Sequence, residues 1–174
     1  MSLKSIHTGI ERSVARYAAR LGQITPESFQ TQPASGAWCY AEVYSHIFTA
    51  NLVSLIALEN CIKGIAEENS QRTHPAVWLI LFLGKFPPGK IKAPERIAAM
   101  VQKIHPAEAE KLIIQFNDKL NELVPLVAAA SPTQKAKHPR LGLLNARQWL
   151  RFIQIHTRHH EKQLYRIEKQ LSLG

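Results

Sequence analysis

Cysteine is scarce in this chain. The two present, Cys39 and Cys61, cannot build a disulfide framework. Both fall on or beside one expected helix, too far apart along it to bridge. Free thiols are therefore expected, as in a reducing cytoplasm. Long apolar runs are missing too. The longest, Ala76–Leu83, is far too short to span a bilayer. The amino-terminal MSLKSIHTGIERSVARYAARL has no apolar h-region of signal-peptide type. No alternation of strand type persists beyond a few residues, and there is no internal repeat. Several catalytic signatures are also absent. There is no Walker loop, no GxSxG and no CxxC, and no HExxH, because Thr157 follows His156.

Acidic residues are in deficit. Asp and Glu number 13 against 22 Lys and Arg, a formal net charge of +9. That balance permits nucleic-acid or anionic-membrane binding, but the charge is dispersed. Its densest stretches, Lys85–Lys92 and Lys135–Arg140, contain proline or glycine and read as loops. No helix-turn-helix, zinc-finger or RNA-recognition signature accompanies them. The expectation is solvated surface charge, with neither nucleic acid nor membrane as partner; a preference for an anionic small substrate is the lesser alternative.

What is present is helical periodicity. Hydrophobic residues make up 45% of 174 residues, enough for one globular domain over 1–174. Leu3, Ile6, Ile10, Val14, Tyr17 and Leu21 mark a first helix over 3–22. A second begins near Trp38–Tyr40 and runs to about Ile65, apolar on more than one face and so expected to be covered on most sides. HPAVWLILFLGKF then predicts either a brief buried helix or an insertion over one end of the molecule, within an extra segment around 75–96. A third long helix opens at Pro106 and runs to about Ala130, with Pro125 predicting a kink or early end. Asn145 is placed as the N-cap of the last helix. Four long helices joined by loops indicate an all-α four-helix bundle.

The last helix, Ala146–Leu171, carries the chemistry. Its stripe follows Trp149, Ile153, His156, His160, Leu164, Ile167 and Leu171, in steps of 4, 3, 4, 4, 3 and 4. Two histidines thus replace apolar residues one turn apart on one face. Two buried imidazoles would need two separate polar partners. A shared metal relieves part of that need by taking one nitrogen from each ring. His46, on a helix that must pack inward, is the natural third ligand. Three imidazoles leave at least one coordination position open, as in a catalytic site. The donor set suits Zn, Ni, Fe(II) or Cu without choosing among them.

Glu42, one turn before His46, is the candidate base or histidine-orienting carboxylate. A first-turn surface carboxylate is the plainer reading of the same residue. The other histidines read differently. His74, His105 and His138 precede prolines and belong at turns. His7 lies off its helix stripe, and His159 borders the core or faces solvent.

The carboxy-terminal HTRHHEKQLYRI, preceded by HPRLGLLNARQWLRF, resembles the DinB/YfiT-like superfamily. So does WCYAEVYSHIFTAN, in which an aromatic leads into a helix and a histidine follows eight residues later. The resemblance spans the bundle and implies an up-down-down-up arrangement, often homodimeric, with a divalent metal near one end. It puts His46, His156 and His160 at the family's ligand positions. It also implies a small-molecule substrate and, in some relatives, a low-molecular-weight thiol co-substrate. Characterised members include thiol-dependent S-transferases, a maleylpyruvate isomerase and a metal-dependent hydrolase. The insertion around 76–96 departs from a minimal bundle, and is expected to cover the pocket or form a dimer contact. Two functions follow as expectations. The first is a metal-dependent thiol S-transferase or small-molecule hydrolase. The second is a non-enzymatic binding module whose metal, if any, is structural.

Overall fold

The computed structural model describes residues 1–87 and 101–171. Most of the expected KFPPGKIKAPER loop, including Lys90 and Lys92, lies outside the described residues. Four long helices form the bundle: α1 (Leu3–Leu21), α3 (Tyr40–Ile62), α5 (Pro106–Leu123) and α6 (Ala146–Leu171). Two shorter ones, α2 (Pro26–Gln30) and α4 (Pro75–Leu83), lie in the connections.

Side-chain bridges give the helix directions. Arg147 donates to the Met1 carbonyl, Gln154 to that of Ser5, and Arg16 pairs with Glu161, so α1 and α6 run parallel. Asn51 meets Thr157 and Cys61 meets the Leu144 carbonyl, so α3 runs against α6. Ser45 accepts from the Gln102 amide and Glu59 pairs with Lys119, so α3 and α5 are parallel. His7 meets Asn121, so α1 opposes α5. The result is up-down-down-up, with the first two long helices, α1 and α3, on a diagonal.

The core between them is aromatic. Tyr17, Phe29, Tyr44, Phe48 and Phe116 are fully buried and contact one another edge-on or tilted. Both tyrosine hydroxyls are satisfied: Tyr17 donates to the Thr157 carbonyl and Tyr44 to that of Tyr17. Helix α3 is long and apolar enough to cross a bilayer, yet 61% of its apolar window is buried in the bundle. That burial follows from packing α3 against α5 and α6.

Two features differ from the sequence reading. The long connections pair into a small antiparallel sheet, β1 (Glu67–Glu68), β2 (Gln134–His138) and β3 (Gly142–Asn145), in that order. Helix α3 leaves part of one face open, with Val53 and Ile56 exposed. Helix α5 stops at Leu123, short of Ala130, which is the early end that Pro125 predicted, and a 3-10 turn over Val124–Ala128 follows. Asn145 caps α6 as expected: its side-chain oxygen accepts from the Gln148 backbone N–H, and its own backbone N–H donates to Gln148 Oε1.

The hydrophobic insertion resolves in part. His74 caps α4 through Nδ1, and Gly84 closes it in the left-handed conformation (φ +66°). Val77 and Leu81 are buried, while Trp78 is 54% and Phe82 67% exposed. The helix is laid on α6 by one face and is not enclosed.

Candidate metal centre

His46 lies in the second turn of α3, and the start of that helix is fixed locally. Glu42 accepts from the Cys39 amide through one carboxylate oxygen at 2.8 Å, the N3 half of a capping box. Trp38, just upstream, folds over His46, with ring centroids 5.1 Å apart. The face of α3 below His46 is half open, so Trp38 and α6 enclose the ring where the bundle core does not.

His156 and His160 face His46 from α6. Ring centroids are 5.4 Å apart for His46–His156, and 4.7 Å for both His46–His160 and His156–His160. One nitrogen from each ring can be chosen so that all three lie within 4.8 Å of one another. All three side chains are buried. Among the described residues, no Cys, Asp or Glu joins this group.

Hydrogen bonds fix which nitrogens are free. The Thr157 hydroxyl donates to the Ile153 carbonyl at 2.7 Å, so its oxygen accepts from Asn51 Nδ2 at 2.9 Å. That turns the Asn51 oxygen toward His156, whose Nδ1–H donates to it at 3.1 Å. His160 Nδ1–H donates likewise to Gln163 Oε1 at 2.7 Å. Each Nε2 therefore keeps its lone pair. His46 makes no hydrogen bond among the described residues, and its ring is free to ligate. Phe152 stacks on His156 at 5.3 Å and fixes the plane of that ring.

Electrostatics favour the neutral rings that ligation needs. Burial pushes His46 down to about 4 and His160 to about 3. It also takes His156 well below the ordinary histidine range, helped by the neighbouring histidines. Three neutral donors, two with their Nδ1–H tied to amide oxygens, match what a divalent ion asks of imidazole. The residues fit such an ion.

A family model for the DinB superfamily matches residues 10–164. The chain belongs to the DinB superfamily. Two solved structures share its fold. One is TT2238, described as a four-helix bundle protein, at 21% identity and TM-score 0.58, covering 94% of this chain and 98% of that one. The other is YfiT from Bacillus subtilis, described as a probable metal-dependent hydrolase with an unusual four-helix bundle topology. It is 13% identical with TM-score 0.67, covering 99% of this chain and 90% of that one. At these identities the likeness concerns the fold. No curated protein matches the sequence.

The remaining histidines of this DinB protein take other positions. His74 and His105 precede α4 and α5 as their N-caps. His138 is more than a turn residue. Its Nδ1 accepts from the Arg140 and Leu141 amides, and its ring packs on Trp149 and Phe152. It thereby backs the ring that supports His156. His159 is exposed and meets Phe86 and His160 edge-on. Sequence reading missed Asn51, Gln163 and Phe152. Gln163 had a signal, being three residues after His160 on one helix face. Asn51 had none, because its partner lies on another helix.

Proposed function

We propose that His46, His156 and His160 hold one divalent metal ion and that this DinB protein is a metal-dependent enzyme acting on a small molecule. The observation that carries it is the convergence of three neutral imidazoles from two helices, two of them oriented by amide oxygens. A bound ion would supply Lewis-acid polarisation to a ligand at its open position. The chain's own residues do the rest. Asn51 and Gln163 hold the Nδ1 protons, Phe152 and Trp38 exclude water from the rings, and α3 and α6 fix the separation of the donors. Either hydrolysis, the activity suggested for YfiT, or transfer of a low-molecular-weight thiol uses such a site. Buried free Cys39 and Cys61 support a reducing, cytoplasmic setting. The exposed Leu79 and Leu83 of α4 support a homodimer.

The decisive measurement is elemental analysis of untagged protein equilibrated with Zn, Ni and Fe(II). About one equivalent is expected in wild type and almost none in His156→Ala. Undiminished metal in His156→Ala would remove the assignment. Metal binding with a large loss of stability on chelation, but no turnover in thiol-transfer and hydrolysis screens, would make the protein a binding module with a structural ion.

Glu42 enters the proposal as the base, with its capping bond held throughout. Glu42→Gln keeps a side-chain oxygen for the Cys39 amide and removes the basicity. Turnover is expected to fall at least tenfold with the melting temperature unchanged. Unchanged turnover would confine Glu42 to capping.

A further inference from the structure

An open cleft of about 460 Å³ lies at the amino-terminal end of α6, well before the mid-helix histidines. Asn145 at its edge precedes His156 by three helical turns, roughly 16 Å at the rise of an α-helix. Arg72, Thr73, Pro75, Trp78, Lys135 and Asn145 are among its lining residues. The volume falls in the range of small-molecule sites, and nothing in the metal chemistry uses it.

Its charge is one-sided. Lys135 is 7% exposed, rare burial for a lysine without a counter-charge. Its ammonium donates to the Gln71 carbonyl and forms no ion pair among the described residues. Glu67 sits opposite Lys135 in the β1–β2 ladder, but its carboxylate accepts from Asn69 instead. Arg72 adds a second cation. Thr73 accepts from Gln148 through its hydroxyl oxygen, which leaves the hydroxyl hydrogen to donate. Among the described residues, no acid lines the cavity. The polar groups that remain unengaged are therefore mainly donors, the complement of an oxyanion.

The remaining wall is flat and apolar. Trp78 stacks parallel on Phe82, with centroids 4.9 Å apart, and is still half exposed. Pro75 and Pro132 complete the apolar lining. Cations beside an aromatic plane favour a ligand that carries both a charge and a ring.

We propose that this cavity is a second ligand site for a small aryl oxyanion, an aryl carboxylate or aryl phosphate, with Lys135 and Arg72 on the charge and Trp78 against the ring. Calorimetric titration with phenyl phosphate, benzoate, inorganic phosphate and benzyl alcohol tests it. Phenyl phosphate or benzoate should saturate at one per chain and bind at least tenfold more tightly than inorganic phosphate or benzyl alcohol. Arg72→Gln and Lys135→Gln should each weaken that binding at least fivefold, and His156→Ala should leave it unchanged. Arg72 is exposed, so its variant remains a valid test if Lys135→Gln fails to fold. Absence of saturable binding, equal affinity with and without the ring, or indifference to Arg72→Gln would each overturn the site. Loss of binding in His156→Ala would transfer the ligand to the histidine centre and overturn it as well. Since the metal assignment is read from metal content, the two proposals fail independently.

Discussion

At the scale of the residue, the proposed metal centre depends on groups other than its three ligand histidines. Asn51 is fully buried and bridges Thr157 to His156. Asn51→Ala would leave the His156 Nδ1–H without its acceptor. Loss of such an outer partner typically weakens metal affinity 10–100-fold, and orphaning a buried donor costs about 1–3 kcal/mol. Chelator competition should therefore show metal binding weakened at least tenfold in Asn51→Ala, with a lower melting temperature. Unaltered affinity would mean that the tautomer of His156 is set by something else. The difference in legibility is physical. His156 and His160 announced themselves because polar residues interrupted an apolar stripe, a pattern confined to one helix. Asn51 sits 105 residues from its partner, and only the antiparallel packing of α3 on α6 brings them together.

At the scale of the element, α6 was readable throughout. Its stripe is buried from Trp149 to Ile167, and its cap at Asn145 is where the sequence put it. The sheet was not readable, because strands of two, five and four residues carry too few alternating positions to register. Helix α4 was legible as an apolar segment but not in its attachment. Val77 and Leu81 are its buried residues, and Arg151 of α6 clasps its end by donating to the Leu81 carbonyl at 2.8 Å and the Phe82 carbonyl at 3.4 Å. Cations suit that end of a helix, where carbonyls lack partners. With so little buried surface, α4 belongs to the low-stability part of the molecule. Arg151→Ala should raise amide exchange across 75–84 at least fivefold while exchange in α3 and α5 is preserved. A uniform rise across all helices would show that α4 is no separate unit and that Arg151 supports the whole bundle.

At the scale of the whole molecule, buried histidines tie stability to pH. His138 is pushed down to about 4 by burial, with Arg140 adding to the shift. It stands outside the three-histidine group, behind the Phe152 ring that stacks on His156, and His46, His156 and His160 are depressed in the same direction. In the unfolded chain a histidine titrates near 6.5. Between that value and about 4, the unfolded state binds protons that the folded state refuses. Stability therefore rises with pH through this window and is lost as pH falls through it. Every proton taken up also adds to a chain already at +9, which increases self-repulsion in the compact state. Metal-free protein should hold its melting temperature above about pH 6.5 and lose it steeply toward pH 4. Metal-loaded protein should melt higher at neutral pH, by an amount that grows with free metal, and that advantage should shrink as protons compete for the ligand nitrogens. His138→Asn, which removes one titrating ring outside the metal site, should flatten the metal-free profile without abolishing the metal-induced shift. If the profile of metal-free protein were already flat between pH 6.5 and 4, the buried histidines would not be neutral in the fold. The three rings would then lack the free lone pairs on which the metal centre depends.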